Sequence, residues 1–348
     1  MTVPTIAWDG AAVVLLDQTR LPGVEAPFRC ANVDSLVDAI VRLVVRGAPA
    51  LGVAGAYGVA LAVATEPDLA AARVAAARLA GARPTAVNLA RGVAAGLAAV
   101  AAHPDDPLTA ALTAARSLES ADRAASEAIA ELGAVLVPAA ARVLTHCNTG
   151  SLVSAGAGTA FAIVAAAHRA GRIAQLWVDE TRPLLQGARL TAWEAQRAGI
   201  PYAVLPDAAA GSLFTRGLVD LVVIGADRVC ADGSVANKVG SYPLAVLCAA
   251  HGVPFVVAAP TSTVDLDTAT GADVEIEQRD PREVTEVHGR RTAPDGAAAY
   301  NPAFDVTPPA LVTALVTEAG VARPVDAASV AALVAAAAAG RSPEARRP

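Results

Sequence analysis

The chain has 348 residues, 54% of them hydrophobic, and its 33 acidic and 27 basic residues give a formal net charge of −6. The acidic balance and the 3% aromatic content argue against a nucleic-acid-binding surface. The apolar residues are mostly Ala and Val, and no run of Leu, Ile and Phe is long enough to cross a bilayer. The N-terminal MTVPTIAWDG lacks the basic region and apolar stretch of a secretory signal, so we expect a cytoplasmic protein with no membrane partner.

Short strands are predicted at residues 11–16 and 27–30, and helical patterns dominate from Val33 to about Ala141. From Arg142 onward, short and nearly continuous apolar runs alternate with helical segments. The apolar runs are ARVLTHC, IAQLWVDE, PYAVLPD, LVDLVVIGAD and VPFVVAAP. Such runs are typical of strands that are buried on both faces of a parallel sheet, with helices as crossovers.

The sequence therefore predicts an α/β protein with two domains. Residues 1–127 form a small N-terminal domain that is mainly helical with short strands. Residues 128–340 form a Rossmann-like, doubly wound parallel-sheet domain. The last residues, GRSPEARRP, are too polar to pack, so we predict a disordered tail at 341–348.

The cysteines and histidines are widely spaced along the chain. The four cysteines form no CxxC pair, and the five histidines form no HExxH or HxH pair. Such spacing argues against a disulfide framework and against a zinc site. We therefore expect neither a metal nor a cofactor.

Ligands of doubly wound sheets bind beyond the carboxyl ends of the strands, and two residues at such positions can carry chemistry. Cys147 lies at a strand-to-loop junction, where it is either a small buried apolar residue or a reactive thiol. Asp227 follows the most apolar run, in which burial raises the pKa of a carboxyl group towards the range of a general acid. The alternative for Asp227 is a helix cap or a structural salt bridge, with Arg228 as the adjacent partner.

Lys238 is the only lysine among the 27 basic residues, and Asn237 before it is one of only five asparagines. All of the other basic residues are Arg. This lysine therefore indicates a position that requires a compact ammonium group. The alternative is a solvated surface charge. We predict that both residues lie in a loop just before a helix.

Two other loops and a helix start hold candidates for ligand binding. RGAPALGVAGAYG begins with Arg46, Gly47 and Ala48, where an Arg fork and small residues allow a phosphate to approach the backbone. Arg83 in ARPTAVNL is a second loop cation, and Gln186 in ETRPLLQGARL is a neutral side chain suited to sugar hydroxyls. Each of these residues taken alone is also consistent with an ordinary surface position.

Together, the segments resemble the methylthioribose-1-phosphate isomerases, the aldose–ketose isomerases of methionine salvage. The matching segments run from about Arg46 to Pro309 and are RGAPALGVAGAYG, ARPTAVNL, THCNTGSL, DETRPLLQGARLTAWE, GADRVCADGSVANKVGSY, VEIEQRDPREVT and YNPAFDVTPP. This family is related to the α, β and δ regulatory subunits of the translation-initiation guanine-nucleotide exchange factor. The resemblance implies a small helical domain joined to a Rossmann-like domain, a homodimer and a phosphosugar substrate.

The resemblance also implies roles for individual residues. Cys147 and Asp227 match the catalytic pair, and the substrate contacts are matched by Arg46, Gly47, Ala48, Arg83, Gln186, Asn237 and Lys238. The implied reaction converts 5-methylthioribose 1-phosphate to 5-methylthioribulose 1-phosphate. In it, Asp227 donates a proton to the ring oxygen, and Cys147 either takes the C2 proton as a thiolate or stabilises a hydride shift from C2 to C1.

Three other functions compete with this interpretation. Ribose 1,5-bisphosphate isomerases share much of the pattern. A non-catalytic phosphosugar- or nucleotide-binding protein, like the regulatory subunits, has no chemical reason to combine Cys147 and Asp227 with Lys238. A nicotinamide-dependent dehydrogenase requires a third glycine at the correct spacing after Gly156 and Gly158, and the sequence does not have one there.

Overall fold

The computed structural model describes residues 3–83 and 87–340, and close contacts divide the chain into two units. The first unit extends to Ala128 and includes Thr149–Ala162, and the second contains Ile129–Asn148 and the chain from Ile163 onward. The sequence-based boundaries place Thr149–Ala162 in the second domain instead. The predicted tail at 341–348 lies outside the described residues.

The segment Thr149–Ala162 belongs to the first unit because its backbone bonds to side chains there. Thr5 Oγ1 donates to the carbonyl oxygen of Ser151 at 2.8 Å, and Gln18 Nε2 donates to that of Leu152 at 2.6 Å. Such contacts join positions more than a hundred residues apart, which local sequence pattern does not reveal.

The first unit is mainly helical, as the sequence predicts. Its strands form an antiparallel sheet in the order β1-β2-β3 and are β1 (Ile6–Trp8), β2 (Val13–Leu16) and β3 (Pro27–Cys30). Its helices are α1 (Val33–Val41), α2 (Ala48–Thr65), α3 (Leu69–Ala80), α4 (Val87–Ala102) and α5 (Pro107–Ala134), the end of which belongs to the second unit.

Helix α2 is the core of the first unit. It is long and apolar enough to cross a membrane by length and composition, but 72% of it is buried within the protein. A helix that is apolar on all sides is typical of a core. It packs closely on α4, since a Cβ at Gly92 would lie 1.9 Å from the carbonyl oxygen of Gly52. The small residues of α2 therefore reflect helix packing inside this unit.

The second unit is an α/β domain, as predicted. Its strands are β4 (Ala141–Thr145), β5 (Ile173–Asp179), β6 (Tyr202–Leu205), β7 (Leu221–Ile224), β8 (Arg228–Cys230), β9 (Val235–Lys238), β10 (Phe255–Ala258), β11 (Val264–Asp265), β12 (Glu286–Val287), β13 (Arg290–Arg291), β14 (Phe304–Thr307), β15 (Ala314–Thr317) and β16 (Gly320–Ala322). Its helices are α6 (Ala160–Arg169, which begins in the first unit), α7 (Ala192–Arg197), α8 (Ala210–Thr215), α9 (Ser241–His251), α10 (Arg282–Thr285) and α11 (Ala327–Ala338).

Within the described residues, the main sheet has the strand order β16-β15-β10-β7-β4-β5-β6. Each of the five predicted apolar runs contains one of the parallel strands β4, β5, β6, β7 and β10. Only β16, at the edge, is antiparallel to its neighbour. The chain proceeds from β4 outward to β6 and then returns to the other side of β4 as β7. The topological switch point of the sheet therefore lies between β4 and β7.

A smaller sheet, with the order β11-β8-β9-β14, follows β7. It corrects one prediction, because Asn237 and Lys238 lie in strand β9 and not in a loop. β9 pairs antiparallel with both β8 and β14, so its ladder depends on a partner more than sixty residues away. The short sequence VANK shows little β-propensity of its own, which is why its local pattern did not predict a strand.

Candidate active site

Cys147 and Asp227 flank the switch point of the main sheet. Cys147 lies two residues beyond β4, and Asp227 lies three residues beyond the neighbouring parallel strand β7. Both residues are half-buried. Because β4 and β7 run in the same direction, both side chains belong to the sheet edge at which doubly wound folds bind ligands.

The backbone of Cys147 is held on both sides by threonine hydroxyls. Its N–H donates to Thr181 Oγ1 at 2.9 Å, and its carbonyl oxygen accepts from Thr191 Oγ1 at 2.6 Å. The φ angle of Cys147 is 62°, a left-handed conformation that costs a side-chain-bearing residue about 1–2 kcal/mol. The two threonines stabilise this conformation and so fix the direction in which the thiol leaves the backbone.

The loop that supplies Thr181 is itself fixed by Asp207, which follows β6. The carboxylate of Asp207 accepts from the N–H groups of Thr181 and Arg182, each at 2.7 Å. Polar residues after β4, β5 and β6 thus hold one another at the same edge of the sheet.

The backbone of Asp227 is tied to β9. Its N–H donates to the carbonyl oxygen of Ala236 at 3.0 Å, next to Asn237 and Lys238. The alternative partner proposed for Asp227, Arg228, forms an ion pair with Asp265 at 3.3 Å. Asp227 and the end of β9 are therefore neighbours through the backbone.

Asn237 and Lys238 are only 4% and 5% exposed. Asn237 Nδ2 donates to Ser241 Oγ at 2.8 Å, and Ser241 Oγ donates to the carbonyl oxygen of Lys238 at 2.8 Å. The interpretation of Lys238 as a solvated surface charge is therefore wrong. A buried ammonium group is costly unless it is paired or hydrogen-bonded, and such lysines are typically retained for a purpose.

His146, the residue before Cys147, joins two strand ends. Its Nδ1 lies 2.9 Å from Asp179 Oδ2, at the end of β5, and its Nε2 lies 2.9 Å from the carbonyl oxygen of Val239. Burial by itself lowers the pKa of His146, but the hydrogen bond to Asp179 and the charges of Asp179 and Asp207 outweigh burial and raise this pKa. The hydrogen bond to Asp179 therefore favours the protonated form of His146.

His146, Asp179 and Asp207 also form the kind of group that can hold a metal ion, with potential ligand atoms within 4.8 Å of one another. The donor chemistry fits a hydrogen-bond network better. Both oxygens of Asp207 accept from backbone N–H groups, and Nδ1 of His146 bonds to Asp179. We therefore assign no metal to these three residues.

Gln186 is buried, and its Oε1 has no hydrogen-bond partner among the described residues. It immediately precedes a π-helical turn, Gly187–Thr191, a type of irregularity that is frequent at functional sites. The interpretation of Gln186 as an exposed side chain is therefore wrong. An unpaired buried acceptor in such a position is suited to a hydroxyl group of a ligand.

The remaining candidates lie in the first unit. Arg46 is buried, Gly47 is the N-cap of α2 with φ 92°, and Ala48 is the first residue of that helix. A Cβ at Gly47 would lie 2.3 Å from Cβ of Val153, so only glycine fits there. Arg83 is half-buried after α3, and residues 84–86 beside it lie outside the described part of the chain. The N-terminus of a long helix next to an arginine favours anions.

The other three cysteines differ from Cys147 in burial. Cys30, Cys230 and Cys248 are at most 1% exposed. Burial raises the pKa of Cys30 to about 12, of Cys230 to about 11 and of Cys248 to about 12. Because the thiolate is the nucleophile, these three thiols are inert at neutral pH.

Iodoacetamide at neutral pH is therefore expected to alkylate the native protein once per chain, at Cys147. Peptide mass spectrometry locates the label, and loss of turnover measured in parallel shows whether this thiol is needed. Cys147→Ser is the control that takes up no label. Labelling of a buried cysteine before Cys147 would contradict the prediction.

The comparisons with known proteins show the family to which the chain belongs. A model of the initiation factor 2 subunit family matches residues 44–324. The chain is 53% identical over 321 residues to the methylthioribose-1-phosphate isomerase of Anaeromyxobacter dehalogenans (strain 2CP-C), covering 92% of this chain and 94% of that protein. The chain belongs to the initiation factor 2 subunit family and, within it, to the methylthioribose-1-phosphate isomerases.

Two solved structures, one of an isomerase and one of an initiation-factor subunit, are similar to this chain. The 5-methylthioribose 1-phosphate isomerase from Pyrococcus horikoshii OT3 is 37% identical, with a TM-score of 0.88 over 95% of each chain. The translation initiation factor eIF-2B subunit delta from A. fulgidus is 41% identical, with a TM-score of 0.83 over 94% of this chain and 99% of that chain. The resemblance stated from the motifs is thus confirmed, as is the isomerase class.

Sequence reasoning assigned no role to four residues that hold the candidate site in place. They are His146, Thr181, Thr191 and Asp207. A signal was present for Thr181 and Asp207, because both follow the carboxyl ends of predicted strands. For His146 the only signal was its position directly before Cys147, since its partners lie 33 and 93 residues away.

Proposed function

We propose that this protein converts 5-methylthioribose 1-phosphate to 5-methylthioribulose 1-phosphate, with Cys147 and Asp227 as the catalytic pair. The observation that supports the proposal is that Cys147 and Asp227 follow the two strands at the switch point, while Asp227 is hydrogen-bonded to β9, the strand that ends in Lys238. Backbone hydrogen bonds join Asp227 to β9, and His146 joins the end of β4 to Val239. These residues occur in a chain that is 53% identical to an isomerase named for this substrate.

The substrate sets the chemistry that the site must supply. A phosphate on C1 prevents the sugar ring from opening by itself, so ring opening requires a general acid at the ring oxygen. Asp227 supplies this proton. Cys147 then acts at C2, either by taking the C2 proton as a thiolate or by stabilising charge during a hydride shift to C1. Turnover in deuterated water separates the routes, because solvent deuterium at C1 of the product excludes a direct shift.

The polar residues described above are suited to bind the phosphate and the hydroxyl groups of this substrate. Lys238 neutralises a phosphate oxygen, Asn237 orients the substrate beside it, and the unpaired Oε1 of Gln186 accepts from a sugar hydroxyl. In the first unit we propose a phosphate-binding role for Arg83 and for the group Arg46, Gly47 and Ala48 at the start of α2. Helix N-termini and arginine forks are the usual protein ligands of phosphate.

Lys238→Arg keeps the charge but is expected to lower kcat/KM by about 100-fold, the cost of misplacing a binding group by roughly 1 Å. Lys238 is 5% exposed, and a planar guanidinium is broader than the compact ammonium group that this buried position holds. Steady-state kinetics measure kcat/KM of the variant, and a melting curve shows that the variant is folded. Parental kinetics would show that a compact cation is not required.

One assay tests the proposed reaction. The purified protein is given 5-methylthioribose 1-phosphate and ribose 1,5-bisphosphate in parallel, with and without EDTA. We expect turnover of the first sugar in both conditions, and faster turnover of ribose 1,5-bisphosphate would instead assign the protein to that reaction. The similarity to an eIF-2B delta subunit favours a binding protein as the second candidate, which predicts binding of a sugar phosphate without product.

The resemblance to the isomerases supports three finer proposals. We infer that the protein acts in the cytoplasm, forms a homodimer and works without a metal or cofactor. Loss of activity in EDTA would contradict the last of these and would direct attention to His146, Asp179 and Asp207, whose ligand atoms lie within 4.8 Å of one another.

A further inference from the structure

His146 is an almost fully buried side chain to which the proposed chemistry gives no role. It is 1% exposed, and its ring bonds at both nitrogens, to Asp179 Oδ2 and to the carbonyl oxygen of Val239, each at 2.9 Å. In sequence, His146 precedes Cys147, and Val239 follows Lys238. The imidazole ring of His146 therefore links the residue before Cys147 to the residue after Lys238.

The partners of the ring determine where its protons lie. A carbonyl oxygen only accepts, so Nε2 of His146 must carry a hydrogen and donate it to Val239. Nδ1 and Asp179 then share one further proton. Oδ2 of Asp179 thus anchors the far side of the ring, and the Nε2–H bond is aimed at the turn that follows β9.

That turn is fixed from its other side as well. The carboxylate of Asp305, on β14, accepts from the N–H groups of Gly240 at 2.7 Å and Tyr242 at 3.0 Å. A Cβ at Gly240 would lie 2.6 Å from Cε1 and 2.7 Å from Nε2 of His146, so the imidazole ring packs directly against the backbone of the turn. The turn is thus clamped between a carboxylate and an imidazole.

We propose that His146 is a positioning residue of the isomerase, whose ring sets the separation between Cys147 and Lys238. The ring acts as a spacer: Asp179 orients it, Val239 receives its hydrogen bond, and Gly240 leaves room for it. His146 does not contact the substrate and acts through the two residues beside it. This inference rests on the proposed roles of Cys147 and Lys238.

Two amide substitutions separate the two bonds of the ring. The longer side chain of His146→Gln places an amide nitrogen near the position of Nε2 and keeps the bond to Val239. The shorter side chain of His146→Asn places it near Nδ1 and keeps only the bond to Asp179. We expect His146→Asn to lose about 100-fold in kcat with a much smaller change in KM, and His146→Gln to stay within about tenfold of the parent.

The thermal stabilities of the two amide variants are expected to rank in the opposite order to their kcat values. His146→Gln leaves the buried carboxylate of Asp179 without its partner, so its melting temperature falls further than that of His146→Asn. A role in folding alone predicts that activity follows stability, with His146→Asn the more active of the two. That order, or parental kcat in both variants, would overturn the proposal.

Cys147→Ser, measured in the same assay, separates the inference from the function on which it rests. If Cys147→Ser keeps parental turnover, the proposed role of Cys147 is wrong. If Cys147→Ser is inactive while His146→Asn is fully active, only the role of His146 is wrong.

A second variant keeps the proposal testable if neither amide variant folds. Gly240→Ala leaves His146 intact but brings a methyl group against its ring, and it is expected to lower kcat in the same way. Gly10→Ala is the matched control for the backbone, because Gly10 has a similar φ of 98° with nothing within 4 Å of its Cβ position. Equal kcat for these two glycine variants would also overturn the proposal.

Discussion

Replacing Asp227 by Asn or Cys147 by Ser is expected to lower kcat by about 100- to 10,000-fold, the range that general acid–base groups contribute. Asn cannot give a proton to the ring oxygen, and the hydroxyl of Ser is a far weaker base than a thiolate. Both residues are half-buried at the ends of adjacent parallel strands, so neither substitution removes core packing. Steady-state kinetics with 5-methylthioribose 1-phosphate measure the effect.

The chain offers matched controls for both substitutions. Cys248→Ser changes a cysteine that lies in the apolar core of the same unit, and Asp267→Asn changes an exposed aspartate there. Both control variants are expected to keep the parental kcat. Near-parental turnover in Cys147→Ser or in Asp227→Asn would remove that residue from its proposed catalytic role.

The parallel sheet was predictable because its strands are buried on both faces. A strand such as LVVI in β7 is then continuously apolar, and this signal is contained within the strand itself. The same reasoning located Cys147 and Asp227, since strand ends on one edge of a parallel sheet are fixed once the strands are known. That part of the site follows from local pattern and one topological rule.

The rest of the site depends on pairings that local pattern does not contain. Asn237 and Lys238 form a strand only because β8 and β14 pair with β9 on both sides. The place of His146 in the site could be inferred only from its hydrogen bonds to Asp179 and Val239 in the structure. No motif spacing in the sequence predicts these bonds. The unusual composition helped where pattern failed, because a lone lysine among arginines marked a residue that proved to be buried.

Gly187→Ala is expected to reduce both stability and activity, because the backbone at Gly187 touches the loop that holds Cys147. A Cβ there would lie 1.7 Å from the carbonyl oxygen of Asp179 and 2.9 Å from Thr181 Oγ1, the hydroxyl that accepts from the N–H of Cys147. Overpacking of this kind typically costs about 1–3 kcal/mol, and a backbone atom yields less than a side chain. Urea unfolding measures the stability, and kcat measures the displacement of Cys147.

Gly211→Ala in α8 is the matched control, because its Cβ would meet nothing within 4 Å. There the helix propensity of alanine acts alone and is expected to raise the free energy of unfolding by about 1 kcal/mol without changing kcat. The two substitutions add the same methyl group at helical positions of one unit, so opposite signs in stability isolate the contact with Asp179. If Gly187→Ala instead matched the parent in both measurements, the π-helical turn would be free to move, and Thr181 would not fix the backbone of Cys147.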